Sequence, residues 1–343
     1  MSTVASRRAS IADVARRAGV SVGTVSNVLN RPDMVAPATA ERVRAAIEEL
    51  AFVPNGSARR LRAGTLTTVG LVVLDIRNPF FTDMARGVED RLALVDHTLM
   101  LASSDDDPAR EARYLRLFEE HGVSGMLVVP VAEDLAPVHA LVSRGMHVVL
   151  LDAASPSPDL SSVAVDDVAG GRQAGAHLLA LGHRRITMLN GPHSIRQCRD
   201  RLAGLRAAVV DAGLDPDEVI TEVPLPRLNA GAGAEAMEPL LTGDDAPRAV
   251  FCVNDLVAVG VQRQVRRLRP DLLGHVAIVG YDDIEIAAEL AWPLTSVRQP
   301  TYEVGYQAAE LLLERDAEGQ PAHRQLVFQP ELVVRATSVA AGT

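Results

Sequence analysis

Asp75, Asp152, Asn190, Asn254, Asp255 and Asp282 each close a short run of Val, Ile or Leu. Carboxylates and amides in that position can bond a ligand's hydroxyls across a cleft, or can cap the helix that follows. A second constellation is Ser21, Val22, Gly23, Thr24, Ser26, Asn27 and Asn30, which are short and mostly polar. Such a helix face can press into a DNA major groove and meet base edges and phosphates; the plain alternative is an ordinary surface hairpin. Other patterns fail on context. Gly231–Ala236 fits GxGxxA, but Pro224 and Pro226 before it do not make a strand, so a dinucleotide loop is not supported. Asp105, Asp106 and Asp107 before Pro108 read as acids at the positive end of a helix rather than a metal cluster. No GxSxG, HExxH or CxxC pattern occurs, so neither a nucleophile nor a metal is motivated, and no cofactor is expected.

The elements that must hold these residues follow from periodicity. In residues 11–30, Ser10 and Ser21 are N-caps, Gly19 is the turn, and Val25, Val28 and Leu29 form the buried stripe of the second helix. Pro37 opens a third helix with Val43, Ala46, Ile47 and Leu50 inward. Residues 55–64, NGSARRLRAG, are basic with one large apolar side chain, Leu61, which can wedge into a minor groove. This segment is too short to be helical alone, so it is expected to order only on DNA or against a second copy. From Thr67 onward, apolar runs alternate with helical stretches. That texture means parallel strands covered on both faces, and some nine such units suit two doubly wound lobes better than one sheet. Ligands then bind beyond the carboxyl ends of the strands.

With IADVARRAGVSVGTVSNVLN, the ARRLR segment and the core motifs CRDR-LAG, ND and GYDD in place, the chain resembles the lactose-repressor (LacI/GalR) family of bacterial transcription regulators from about Ser10 to about Thr337. The resemblance implies an all-α helix-turn-helix head and an α/β core of two doubly wound parallel-sheet lobes, like a periplasmic binding protein. Expected boundaries are 1–52 for the head, 53–66 for the hinge and 67–343 for the core. The first lobe would take about 67–163 and 297–327, the second about 164–296 and 328–343. The family's base-reading positions fall on Val22, Gly23 and Asn27, with Leu61 intercalating between Arg60 and Arg62. Gly23 has no side chain, so readout shifts toward Asn27, the hinge and DNA shape. Ala36 stands where the family often has Ser or Thr, a modest loss of capping. The effector positions implied are Phe80, Phe81, Asp152, Arg199, Asn254 and Asp282, with Leu228 in the slot of a stacking aromatic. Arg201 is assigned to bracing. Ile195 and Gln197 replace the Arg and Thr of purine-binding members, so a sugar or polyol is expected rather than a purine.

Composition sets the partners. The net charge is −10, but residues 1–62 hold ten Arg against five acids, a net +5, and the rest holds 24 against 39, a net −15. A basic head on an acidic body confines phosphate attraction to one end. Two cysteines make no disulfide framework, and no signal peptide or membrane span is read, so a cytoplasmic location is expected. The expectation is a repressor that binds a near-palindromic operator as a homodimer under effector control. Against a sugar-transport protein count the absence of a signal peptide and the presence of the basic head; against an enzyme, a binding cleft explains the same residues without a nucleophile or metal.

Overall fold

The computed structural model describes residues 9–52, 67–243, 245–315, 319 and 323–338. The chain divides into two compact units, 1–66 and 67–343. The expected hinge, with Arg60, Leu61 and Arg62, lies outside the described residues, as does the side chain of Asn30.

Among the described residues the first unit holds three α-helices, α1 (Ile11–Ala18), α2 (Val22–Asn30) and α3 (Pro37–Glu49), with a 3-10 turn at Pro32–Met34. Ser10 caps α1 in a reciprocal box with Asp13, and Gly19 ends it at φ +67°, where a side chain would be strained. Ser21 caps α2 by accepting from the Thr24 N–H at 3.0 Å. Ala36 gives α3 no side-chain cap. Val14, Ala15, Ala18, Val25, Val28, Ala40, Val43 and Ala46 close a small core among the three helices.

The second unit runs β1 (Thr68–Val73), α4 (Pro79–Ala93), β2 (Thr98–Ser103), α5 (Pro108–Glu120), β3 (Gly125–Val128), α6 (Ala136–Ser143), β4 (Val148–Leu151) and β5 (Ser161–Val165). It continues with α7 (Asp167–Ala180), β6 (Ile186–Asn190), α8 (Arg196–Asp211), α9 (Pro216–Val219), β7 (Ile220–Pro224), α10 (Ala230–Thr242), β8 (Ala249–Cys252) and α11 (Asp255–Leu268). Last come β9 (Ala277–Asp282), α12 (Glu285–Glu289), β10 (Thr295–Arg298), α13 (Thr301–Leu313), β11 (Gln325–Phe328) and β12 (Glu331–Val333). One sheet has the order β11-β5-β4-β3-β1-β2, all parallel; the other is β12-β10-β9-β8-β6-β7, parallel except for β12. The central strands are buried but for Thr68 at the start of β1, which is why they read as apolar runs.

The chain passes between lobes three times: after β5, between β10 and α13, and between β11 and β12. The expected boundary at 163 falls inside β5, which pairs with β4 as far as Val163 and with β11 as far as Val165. Likewise the expected start of the return at 297 falls inside β10, which belongs to the second sheet, and the expected end at 327 falls inside β11. Sheet membership extends to the last ladder bond, whereas the turn signals stop earlier.

Helices pair with each other through bare backbone contacts. A Cβ on Gly171 of α7 would lie 2.1 Å from the Arg201 carbonyl oxygen of α8, and one on Gly204 of α8 would lie 2.1 Å from the Val168 carbonyl oxygen. This close approach fixes α8, and with it the side chains of its first turn, relative to α7.

Candidate functional site

On α2 the residues expected to meet DNA divide by helical phase. Val25 and Val28 are buried; Ser21, Val22, Gly23 and Asn27 are exposed; Thr24 and Ser26 are half-covered. The Ser21 and Thr24 hydroxyls lie 2.9 Å apart and bond each other. Val22, at 45 % exposure, is an apolar side chain held open on an otherwise polar face. The helix N-terminus adds free N–H groups and a positive dipole end, suited to a phosphate.

In the second unit the strand order reverses between β1 and β3 in one sheet and between β6 and β8 in the other. Loops from the carboxyl ends of both sheets meet around a cavity of about 330 Å³. The first lobe contributes Asp75, Arg77, Asn78, Phe80, Phe81, Asp105, Asp106, Val131 and Asp152; the second contributes Ile195, Gln197, Arg201, Arg227, Leu228, Asn229, Asn254 and Asp282, among others. Of the expected effector residues, Phe80, Phe81, Asp152, Leu228, Asn254 and Asp282 therefore stand together. Phe80 and Phe81 meet edge to face with ring centroids 5.0 Å apart; both are buried in the first-lobe core and both reach the cavity.

Arg199 is a correction. It does not line this cavity; it bonds the His193 carbonyl and forms an ion pair with Glu133 of the other lobe. Arg201 lines the cavity instead and braces it too. Its Nε donates to Asp167 at 2.8 Å, its Nη1 to the Val253 carbonyl at 2.6 Å, and its guanidinium lies 3.6 Å from the Tyr281 ring centroid. Its reach to Asp282 is 3.8 Å. The reason is helical phase: Gln197 and Arg201 are one turn apart and share the buried face, whereas Arg199 lies between them on the other side.

The cavity is a set of buried polar groups with few free valences. Gln197 Nε2 donates across the lobes to Asp152 O and Oδ2, both at 2.8 Å. Among the described residues, Asp152 Oδ1 is buried without a hydrogen-bond partner. Burial first, and then Asp167, push the Asp152 carboxyl well above the usual range. Asp282 accepts from Asn78 Nδ2 at 3.3 Å and Gln299 Nε2 at 2.9 Å. Burial raises it to about 6, against the opposing pull of Arg201 and those two donors. Asn254 spends its side chain on capping α11 and bonding the Leu228 carbonyl. Asp255 does not line the cavity; it accepts from Ser296 Oγ at 2.6 Å and the Ile284 N–H at 2.9 Å, a brace within the second lobe. Asp283 is likewise structural, paired with Arg298 and Arg335.

The acidic triplet splits. Asp107 caps α5, bonding the Ala109 N–H at 2.8 Å, while Asp105 and Asp106 turn into the cavity wall. Both take positive φ, 57° and 58°, as do Asp152 (54°) and Asp282 (104°). Asp tolerates this better than most side chains, and such backbone clusters where strands end at a ligand site. Among the described residues no His/Cys/Asp/Glu group is arranged to hold a metal.

A model of the bacterial regulatory proteins of the lacI family matches residues 10–55, and one of a periplasmic binding protein-like domain matches residues 175–338. The HTH-type transcriptional repressor PurR of Aliivibrio salmonicida is 33% identical over 332 residues, 95% of this chain and 98% of that protein. The chain belongs to the LacI family. Among solved structures, a transcriptional regulator CelR–cellobiose complex is 32% identical, covers 96% of this chain and 100% of that one, and has a TM-score of 0.68. The lac repressor dimer bound to operator and the anti-inducer ONPF is 26% identical, covers 97% and 100%, and has a TM-score of 0.76. The LacI-family protein is thus a helix-turn-helix regulator with two parallel-sheet lobes, in a family of regulators rather than enzymes. No described helix is long and apolar enough to cross a membrane.

Proposed function

We propose that this LacI-family protein is a repressor that binds a near-palindromic operator as a homodimer and is switched by a sugar or polyol held between its lobes. Ser21, Val22, Gly23, Thr24, Ser26, Asn27 and Asn30 meet the duplex, joined by Arg60, Leu61 and Arg62. Phe80, Phe81, Asp152, Arg201, Asn254 and Asp282 meet the effector. The observation that carries the effector half is the cavity itself: carboxylates and amides from both lobes with Phe80, Phe81 and Leu228 as apolar walls, and a buried acceptor, Asp152 Oδ1, lacking a donor. An uncharged polyol supplies hydroxyl donors without another buried charge. The solved relative holding cellobiose is in keeping with this class. Ile195 and Gln197 at the cavity keep a purine out of favour even though PurR is a relative.

Two-fold pairing matches an inverted-repeat site, and the effector must bind the two lobe arrangements unequally, by roughly 1–3 kcal/mol, to change the grip on DNA. The test is a thermal-shift screen of sugars and polyols, then titration of a labelled operator with any hit. Operator affinity should fall with salt at a log–log slope near −0.9 per phosphate neutralised. A flat salt response, or a hit that leaves operator binding unmoved, overturns the assignment.

A further inference from the structure

A separate cavity of about 440 Å³ lies at the second crossover, where β10 leads into α13. It shares only Phe80 and Asp282 with the polar cleft. Both lobes reach it: Asp83 and Arg86 come from α4 of the first, Asp283 and Arg298 from the second. Ile284, beside it, belongs to the second lobe in sequence but packs within the apolar core of the first. Four carboxylates and two guanidiniums line the cavity. The guanidiniums are already neutralised: Arg86 pairs with Glu89 at 3.2 Å and Asp90 at 2.7 Å, and Arg298 with Asp283 at 2.8 Å. Among the described residues no cation pairs with Asp83. Burial first, and then Glu285 of the second lobe, push its carboxyl above the usual range. Two acids from opposite lobes are therefore neighbours with nothing positive between them. The N-terminus of α13 faces the cavity too, but Glu303 in its first turn offsets that partial charge.

An independent observation points to a ligand. Gln299 lines this cavity and is only 4 % exposed. Its Nε2 donates to Asp282 Oδ1 at 2.9 Å, so the carboxylate claims the nitrogen end of the amide. The other end, Oε1, is buried with no hydrogen-bond partner among the described residues. An unmet buried acceptor is costly, and a ligand N–H removes that cost. We infer that this cavity is a second ligand site, taking a small aliphatic amine whose N–H groups meet Gln299 Oε1 and whose charge answers Asp83 and Glu285. The cation is organic rather than a metal, because no described His/Cys/Asp/Glu group is arranged to hold an ion. Phe80, Ile284 and Pro300 give its carbon chain apolar surface. The amine bridges the lobes, since its anionic partners sit on α4 of one and α12 of the other. It is also felt in the cleft, because Gln299 holds Asp282, which lines both cavities.

The test uses the full-length protein, free of DNA, at neutral pH and matched ionic strength. Calorimetry and ligand-observed NMR follow 1,4-diaminobutane and, as the uncharged match, 1,4-butanediol. The diamine should saturate at one per chain and the diol should not bind. Asp83→Asn on the first lobe and Glu285→Gln on the second should each weaken the diamine by roughly five- to tenfold. Both side chains are exposed and make no ion pair among the described residues, so these variants should fold as wild type, which a thermal midpoint checks. Glu235→Gln, an exposed acid on α10 that does not line the cavity, should leave the affinity unchanged. Diamine binding that never saturates overturns the site, as does equal binding by wild type and Asp83→Asn, or a loss in Glu235→Gln as large as in Asp83→Asn, since any acidic surface would then serve. A diol that binds as tightly as the diamine overturns the cation. Weakening by Asp83→Asn with none by Glu285→Gln overturns the bridge between the lobes. None of these outcomes bears on the sugar or polyol assigned to the polar cleft.

Discussion

The head and the cleft handle polar side chains in opposite ways. On α2, Asn27 faces solvent over a core whose buried residues are Val and Ala, and its partner would be another molecule. In the cleft, Asp152, Arg201, Asn254 and Asp282 are all at or below 5 % exposure, and nearly every valence is met within the protein. The head therefore separates function from stability: an exposed side chain can change with little cost to folding. The cleft joins them, because each buried charge is part of the framework that positions the next.

Four variants can break or sharpen this contrast. The largest effect is expected for Arg201→Met. It leaves Asp167 and Asp282 buried without their cation, and core stability in urea should fall by about 3–5 kcal/mol with the effector response lost. A core as stable as wild type would show that the cleft is not part of the framework. Next is Gly171→Ala, which forces α7 off α8 and should cost about 1–3 kcal/mol in the same measurement. In the head, Asn27→Ala should weaken or relax operator binding by about 1–3 kcal/mol at the base pair it reads, with the urea transition unmoved. Equal losses of folding and of operator affinity would erase the distinction drawn here. Ser21→Ala, which removes a cap, should lower head stability by only about 0.5–2 kcal/mol and leave the core untouched.

The cleft also makes a statement about pH. Asp282 has an ordinary value of 3.8 and is raised to about 6. A raised carboxyl keeps its proton in the folded state after the unfolded chain has released it. Its stabilising share is therefore complete below about pH 4 and lost as pH rises toward 6. Asp282→Asn should flatten that part of a stability–pH curve, while Asn27→Ala should leave its shape unchanged. An unaltered curve in Asp282→Asn would assign the slope to another buried acid, with Asp152 the next to test.

Local chemistry made the head readable in one dimension. Caps at Ser10 and Ser21, the turn at Gly19 and the stripe Val25–Val28–Leu29 are contacts within a few residues, so their spacing carries the structure. The alternation of apolar runs with helices likewise implied two parallel sheets, because strands covered on both faces have no room for polar residues. Strand-end Asp152, Asn254 and Asp282 followed from the same logic. What the linear order could not supply was rotation and handedness. Whether Arg199 or Arg201 faces the cleft depends on how α8 is turned about its axis, and the backbone approach of α7 and α8 at Gly171 and Gly204 limits that turn. Whether Asp105 and Asp106 cap a helix or line a cavity depends on a backbone held at positive φ. The polar cavity exists only because loops from two lobes meet. Those outcomes belong to packing between distant segments, where many faces of similar composition compete and only the assembled core selects one.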